Sequence, residues 1–169
     1  TITYPVSVIY DPIPGGVTTT TDAGCDLLLS KICNTVERVL DNGDEGGILI
    51  FLPGEKIIKD CLDRLYRMPF SRHLHILPLY GRLSKEEQEK VFDEPPAGKK
   101  KVIISTNIAE TSVTISDITT VIDSGLCKLN FYNPRNFTSS LIESSVSKAS
   151  CNQRKGRAGR THEGSCYRL

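Results

Sequence analysis

The chain has 169 residues, of which 38% are hydrophobic and 24% charged, and a formal net charge of +1. These values are typical of one domain with its own core, so we expect a single domain, 1–169. Because the first residue is Thr1, we also expect that this domain is cut from a larger protein. No apolar run approaches the roughly 18 residues that a membrane-spanning helix needs, so we expect no membrane partner, and the low charge excludes an overall electrostatic hold on nucleic acid.

Apolar runs bounded by turn residues predict strands along the whole chain. The predicted strands are 6–10, 48–52, 74–79, 101–105, 119–122 and 164–169. Apolar residues at helical spacing predict helices over 23–40 and 55–67, and further helices are expected after residue 84 and over 148–157. This alternation of strands and helices predicts an α/β fold with a mainly parallel sheet covered by helices.

Polar residues mark the start of three of these helices. We predict Asp22 as the N-cap of the first helix and Ser147 as the cap of the last. Ser84 is followed three residues later by Glu87, which is the pattern of a capping box.

The alternation of strands and helices breaks between about 126 and 143. Polar residues alternate with apolar ones from Lys128 to Tyr132, and a turn cluster follows at 133–136 before a second short apolar run. This pattern predicts a β-hairpin inserted into the domain. An extra ribbon at the edge of the main sheet is the alternative.

The six cysteines show no zinc-binding spacing, since none forms a C-x-x-C pair and no His lies at finger spacing from two of them. They are Cys25, Cys33, Cys61, Cys127, Cys151 and Cys166. We interpret them as buried or half-buried free thiols in a reducing compartment. No metal site is predicted, and the expected location is intracellular, either cytoplasmic or nuclear.

Residues 105–115 directly follow a buried strand and therefore lie at the carboxyl edge of the predicted sheet. Ligands bind at that edge in open α/β folds. The segment is rich in hydroxyl groups and includes the amide of Asn107. Such groups and backbone N–H groups suit phosphate oxygens, either of a nucleotide or of a nucleic acid.

Basic residues cluster at 99–101 and again at 153–160. Within the second cluster Arg157 and Arg160 are three residues apart, so on a helical turn they would face the same way and match a polyphosphate. Small residues at 156, 158 and 159 allow another surface to approach closely. A solvated basic face is the alternative interpretation.

Four segments in order resemble motifs of the DEAH-box family of superfamily 2 helicases, and the resemblance covers nearly the whole chain. Residues 48–54 resemble motif IV, 78–83 with Gln88 and 91–92 resemble motif IVa, 105–115 resemble motif V, and 153–160 resemble motif VI. The resemblance implies a RecA-like three-layer α/β/α fold, in which the hairpin projects toward the point where strands separate. Neither a phosphate-binding loop nor a D-E-A-H tetrapeptide occurs, as expected for the second of the two RecA-like domains in this family.

The resemblance also implies a role for particular residues at a nucleotide site. Gln153, Arg157 and Arg160 match positions that reach the γ-phosphate, with the arginines acting as fingers. Phe92 matches the aromatic that stacks on the base, with a core position as the alternative, and Thr114 matches a ribose-contacting position. Ser116 stands where many members have a ribose-contacting Asp, whereas Arg154 is expected to be structural.

The resemblance further implies which residues contact nucleic acid and which binding partners the domain has. Thr106 and Asn107 match motif V residues near the backbone phosphates, and Tyr80 and Gly81 lie where motif IVa approaches the same strand. The implied ligands are RNA, with DNA as an alternative, and ATP or another NTP with Mg²⁺, the metal being held mainly by a first RecA-like domain of the same protein. C-terminal accessory domains are further expected partners. The rival interpretation is a binding module without catalysis.

Overall fold

The computed structural model describes residues 4–43, 45–135, 138–159 and 163–169. In chain order the elements are β1 (Val6–Tyr10), α1 (Asp22–Asp41), β2 (Gly47–Phe51), α2 (Glu55–Tyr66), β3 (Leu74–Leu79), α3 (Lys85–Glu89), β4 (Lys100–Ser105), α4 (Ile108–Thr111), β5 (Ile118–Asp123), β6 (Leu126–Asn133), β7 (Thr138–Ser145), α5 (Lys148–Gly156) and β8 (Gly164–Arg168). Two short 3₁₀ turns, Pro69–His73 and Lys90–Phe92, precede β3 and follow α3. The predicted strands are therefore confirmed to within one residue at each end.

The central sheet has six strands in the order β1-β8-β5-β2-β4-β3, all of them parallel to their neighbours. Every residue of β2 is buried. Ile48 and Ile50 pack with α1 and α2 on one face of the sheet. Leu49 and Phe51 pack on the other face with apolar residues of α4 and of the segment after α5. The sheet thus has an apolar core on each face, and each core lies between the sheet and a layer of helices. This three-layer arrangement confirms the RecA-like α/β/α prediction.

The helix caps follow the prediction at two of three positions. The hydroxyl groups of Ser84 and Ser147 accept hydrogen bonds from the backbone N–H groups three residues later. The prediction of Asp22 as an N-cap is wrong. The cap is Thr21, whose hydroxyl accepts a bond from Gly24 N at 3.0 Å, and Asp22 is the first helical residue.

Strands β6 and β7 form a separate two-stranded antiparallel sheet. The hairpin leaves the main sheet at the end of β5 and returns at α5, and Val146 N donates to Gly125 O at its base. The prediction of an inserted hairpin is confirmed, and the edge-ribbon alternative is wrong.

All six cysteines are free thiols, and each is buried or half-buried as predicted. Burial raises the pKa of the Cys33 thiol to about 11 and that of Cys166 to about 12. Among the helices that the structure describes, none is long and apolar enough to cross a membrane.

Candidate nucleotide and nucleic-acid sites

A groove of about 410 Å³ opens at the carboxyl edge of the sheet and brings together the four residues predicted to contact nucleic acid. Tyr80 and Gly81 follow β3, and Thr106 and Asn107 follow β4, which is the neighbouring strand. The backbone N–H of Thr106 donates to Leu79 O at 3.2 Å, which fixes the two segments side by side. The convergence follows from the parallel sheet, because adjacent strands end at the same edge.

The loop after β3 is held in shape by one side chain. The amide nitrogen of Gln88 lies 3.4 Å from the carbonyl oxygens of Tyr80 and Gly81 and 3.1 Å from that of Leu83. Since all three carbonyl groups belong to one loop, the Gln88 amide orients the groove wall without needing to contact a ligand itself.

Three exposed cations border the same groove, and none of them was assigned to it from the sequence. Lys56 lies in the first turn of α2, Arg82 follows β3, and Lys128 lies on β6. Glu55 balances one of them, with its carboxylate 3.5 Å from the Arg82 guanidinium. The groove therefore offers hydroxyl, amide and cationic groups of the kinds that bind backbone phosphates.

The second predicted site forms where the segment after β4 meets the end of α5, and Arg157 lies at its centre. Arg157 is buried, and its Nε donates to Glu110 O at 2.8 Å while Nη1 donates to Thr114 Oγ1 at 3.0 Å. Nη2 also donates to Glu110 O. The guanidinium of Arg157 thus binds the segment 105–115 directly.

Arg154 is the most enclosed cation in this region. Its side chain is 0% exposed and bridges the carboxylates of Glu110 at 2.7 Å and Asp123 at 2.8 Å. It also donates to Leu126 O and lies 4.7 Å above the centre of the Phe51 ring. The prediction that Arg154 is structural is confirmed, because its charge is neutralised and desolvated inside the domain.

These motifs correspond to a known domain family. A sequence model described as "Helicase conserved C-terminal domain" matches residues 29–162. The chain belongs to this family. The ATP-dependent RNA helicase HrpA of Borreliella burgdorferi is 47% identical over 169 residues, which are 100% of this chain and 20% of that protein. The probable ATP-dependent RNA helicase DHX35 of Homo sapiens is 39% identical over 176 residues, covering 99% of this chain and 23% of that protein.

Solved structures agree with this assignment. The crystal structure of the E. coli DExH-box NTPase HrpB matches with a TM-score of 0.80 and 33% sequence identity, over 99% of this chain and 19% of that one. The resemblance to DEAH-box helicases is therefore confirmed. This helicase C-terminal domain spans about a fifth of the length of HrpA, DHX35 and HrpB.

Of the remaining nucleotide-site predictions, those on described residues fall on surface positions of the helicase C-terminal domain. Gln153 is exposed on α5, and Thr114 and Ser116 are exposed after α4. Phe92 is 56% exposed while its neighbour Val91 is fully buried, so the core alternative for Phe92 is wrong. The prediction for Arg160 lies outside the described residues. Each functional role remains a prediction.

The alternative interpretation of a solvated basic face is wrong for Arg154 and Arg157. Arg157 follows the end of α5 and points inward, so with Arg154 it forms no solvated basic face. In the cluster at 99–101, Lys101 is 2% exposed, donates to Val91 O at 2.8 Å and pairs with Asp117 at 3.2 Å. Lys100 donates to Gly46 O at 2.6 Å. Carboxylates of the same chain thus pair with Lys101 and Arg154, whereas Lys100 and Arg157 donate to carbonyl oxygens.

The small residue at 159 admits close approach, as the sequence suggested, but the approaching group belongs to the same chain. A Cβ built on Gly159 would lie 2.5 Å from the carbonyl oxygen of Tyr4 and 2.7 Å from a methyl carbon of Val6. Gly159 O also accepts a bond from Tyr4 N at 2.8 Å. The end of the α5 segment is therefore packed directly on the strand that begins the sheet.

Proposed function

We propose that this domain is the C-terminal motor domain of an ATP-dependent RNA helicase, contributing half of an ATP site and part of a single-stranded RNA path. HrpA and DHX35 carry that activity in their names. In this proposal a first RecA-like domain of the same protein supplies the other half of the ATP site. ATP binds in the cleft between the two domains, which closes around it, and hydrolysis reopens the cleft, so that the strand moves through the groove.

One observation carries the proposal: a single segment, 105–115, belongs to both candidate sites. Its first residues, Thr106 and Asn107, line the groove. Glu110 and Thr114, a few residues later, accept hydrogen bonds from Arg157. A change at Arg157 during the ATP cycle therefore acts on the same short segment that borders the groove, which is the physical link a motor needs between nucleotide and strand.

The chemistry of the nucleotide side chains fits phosphate groups. We assign Gln153, Arg157 and Arg160 to the γ-phosphate, where guanidinium groups stabilise the charge that develops on the terminal oxygens. Amide and guanidinium N–H groups donate to phosphate oxygens but do not bind a cation. Mg²⁺, which neutralises the same phosphates, is accordingly proposed to be held mainly by the first RecA-like domain.

Base and ribose recognition are assigned to exposed side chains. Phe92 is proposed to stack on the base, and its exposure leaves the ring face accessible. Thr114 and Ser116 are proposed to face the ribose. Because stacking tolerates any base, NTPs other than ATP are expected to serve as substrates.

The groove is proposed to hold the RNA backbone through Tyr80, Gly81, Thr106 and Asn107. A hydroxyl contact of this kind positions a strand without reading its sequence. Other domains of the same protein complete the path, and DNA remains the alternative strand. An intracellular location, cytoplasmic or nuclear, also remains a prediction.

The test is the substitution Thr106→Val in the full-length protein. Val keeps the shape of the side chain and removes the hydroxyl, so stimulation of ATP hydrolysis should weaken for every RNA tested while basal hydrolysis persists. Thr119→Val is the matched control, because Thr119 lies on β5 and its hydroxyl donates to Glu45 O, in a loop that precedes β2. Loss of stimulation by one RNA sequence only would contradict the assignment of Thr106.

The domain alone should hydrolyse no ATP, since the groups that bind the phosphates and Mg²⁺ are assigned to the first domain. Turnover by the isolated domain at about 1–100 s⁻¹, an ordinary rate for phosphoryl transfer, would contradict the shared site. A full-length protein that binds RNA but hydrolyses no NTP would support the binding-module interpretation.

A further inference from the structure

One carboxylate connects the β6–β7 hairpin to the body of the domain. Glu143, on β7, accepts three hydrogen bonds from the loop that precedes α1. Thr18 Oγ1 donates to its Oε2 at 2.9 Å, Thr19 N donates to its Oε1 at 2.8 Å, and Thr19 Oγ1 also donates to Oε1. Hydrogen bonds to an ionised carboxylate are stronger than neutral ones, so this is a firm attachment for a surface group.

The loop that Glu143 holds is itself fixed to the core. Thr21, the next residue but one, is the N-cap of α1, and Cys25 Sγ in the first turn of that helix donates to Thr19 O at 3.3 Å. Farther along, α1 buries Leu28 and Ile32 completely. The hairpin is therefore anchored, through one side chain, to a helix of the central packing.

Glu143 is paired in register with Lys128, the cation that borders the groove. Residues directly opposite in an antiparallel ladder project from the same face, about 5 Å apart. The Lys128 side chain lies over Gly54, where an added Cβ would be 3.1 Å from its Nζ. Fixing Glu143 therefore also fixes the strand position from which Lys128 reaches the groove wall.

We propose that Glu143 is a positioning residue, which locks the hairpin onto the loop 18–20 and thereby holds Lys128 at the groove. The inference rests on the proposed RNA path for its functional consequence, but the attachment itself can be tested separately. When the attachment is broken, the hairpin shifts on its connections to β5 and α5, and Lys128 leaves the backbone of the bound strand. ATP hydrolysis then continues with poorer use of RNA.

The activity test uses Glu143→Ala in the full-length protein. Basal ATPase should stay within about twofold, the RNA concentration for half-maximal stimulation should rise by at least about fivefold, and duplex unwinding should fall by a similar factor. Glu37→Ala is the matched control, because Glu37 is an exposed glutamate of α1. Unchanged unwinding and unchanged RNA stimulation in Glu143→Ala would overturn the inference.

Glu143→Gln separates positioning from charge. The amide oxygen can accept both bonds from Thr19, and the NH₂ group can donate to Thr18 Oγ1, so this variant should behave like the unaltered protein. A pure charge effect on RNA would instead make Glu143→Gln resemble Glu143→Ala. The double variant Thr18→Val, Thr19→Val removes two of the three bonds and keeps the one from the backbone N–H of residue 19, so it should show part of the loss seen in Glu143→Ala. Adding both changes to Glu143→Ala should cause little further loss.

Hydrogen exchange at the Thr19 amide tests the attachment independently of any enzymatic activity. This amide donates to Glu143, so its exchange in the full-length protein should accelerate by about tenfold or more in Glu143→Ala and little in Glu143→Gln. Equal exchange in both variants would overturn the attachment. If exchange responds as expected but no NTP is hydrolysed and no RNA is bound, the proposed function fails while the attachment stands.

Discussion

The Arg157 junction and the groove show opposite ways of using positive charge. At the junction, Arg154 and Arg157 are buried, and their guanidinium groups bind carboxylates, carbonyl oxygens and a hydroxyl of the same chain. At the groove, Lys56, Arg82 and Lys128 are exposed and come from separate segments. Two arginines of the dense basic run lie inside the domain, whereas cations scattered along the chain create the surface that suits a phosphate backbone.

The comparison shows that burial decides what a cation does. Desolvation makes a buried cation dependent on its partners, so its removal leaves uncompensated charge inside the domain. An exposed cation loses little when its partner is absent, because water replaces the partner. Changes at the junction should therefore affect stability or catalysis strongly, and changes at the groove should affect RNA binding while leaving the fold intact.

The largest expected effect is on catalysis in Arg157→Ala, measured as the ATPase kcat of the full-length protein. An arginine finger acts mainly on transition-state charge, so kcat should fall by about 10³–10⁵ with little change in nucleotide affinity. Lys155→Ala, at a half-buried neighbour, is the control. If Arg157→Ala lowers the free energy of unfolding but leaves kcat near normal, the role of Arg157 is limited to its bonds with Glu110 and Thr114.

The next largest effect is expected in Arg154→Ala. Removing this side chain leaves Glu110 and Asp123 buried without their cation, which should lower the free energy of unfolding by about 3–5 kcal/mol. Urea denaturation of the domain measures the change. A loss below about 1 kcal/mol would show that the two carboxylates can be solvated or protonated without the arginine.

A smaller effect on stability is expected when the two glycines of the segment 153–160 are each replaced by alanine. Gly159→Ala places a methyl group against the Tyr4 carbonyl and should lower the free energy of unfolding by about 1–3 kcal/mol. Gly156→Ala is the matched control, because nothing lies within 4 Å of its added Cβ and it ends α5. The measurement is the melting temperature of each variant in thermal unfolding. Equal melting temperatures would show that the contact of residue 159 with the Tyr4 carbonyl does not exclude a side chain.

The smallest effect on stability is expected for the groove cations. Lys56→Ala and Lys128→Ala should each change the free energy of unfolding by less than about 0.5 kcal/mol. If each cation binds one phosphate, the slope of log affinity against log salt for single-stranded RNA should decrease by about 0.7 per variant. An unchanged slope in both variants would mean that the strand takes another course across this surface.

The sequence predicts the strands well because continuous apolar runs are required where a parallel strand is buried on both faces, as in β2. It places the cap of α1 at Asp22, one residue late, because Thr and Asp both cap helices well and the pattern does not separate them. The direction of a basic side chain is still harder to predict. Lys101 binds Asp117 and Val91 O, two groups that are brought to it only by the assembled fold.

The candidate groove was also predicted only in part from the sequence. Tyr80, Gly81, Thr106 and Asn107 converge because they follow adjacent parallel strands. Lys128 could not be placed at the groove from the sequence, because its position depends on the path of the hairpin and on the hydrogen bonds of Glu143.

The pairing of β1 with β8 has a consequence for synthesis of the protein. The first strand of the sheet finds its partner in the last, and β8 also separates β1 from β5. A nascent chain emerging from the ribosome therefore carries β1 without its β8 neighbour until nearly the whole domain has been translated. Contacts so distant in sequence form slowly, and an unpaired strand exposed in the meantime favours aggregation. Early release or prolonged pausing within this domain should thus leave β1 available to chaperones.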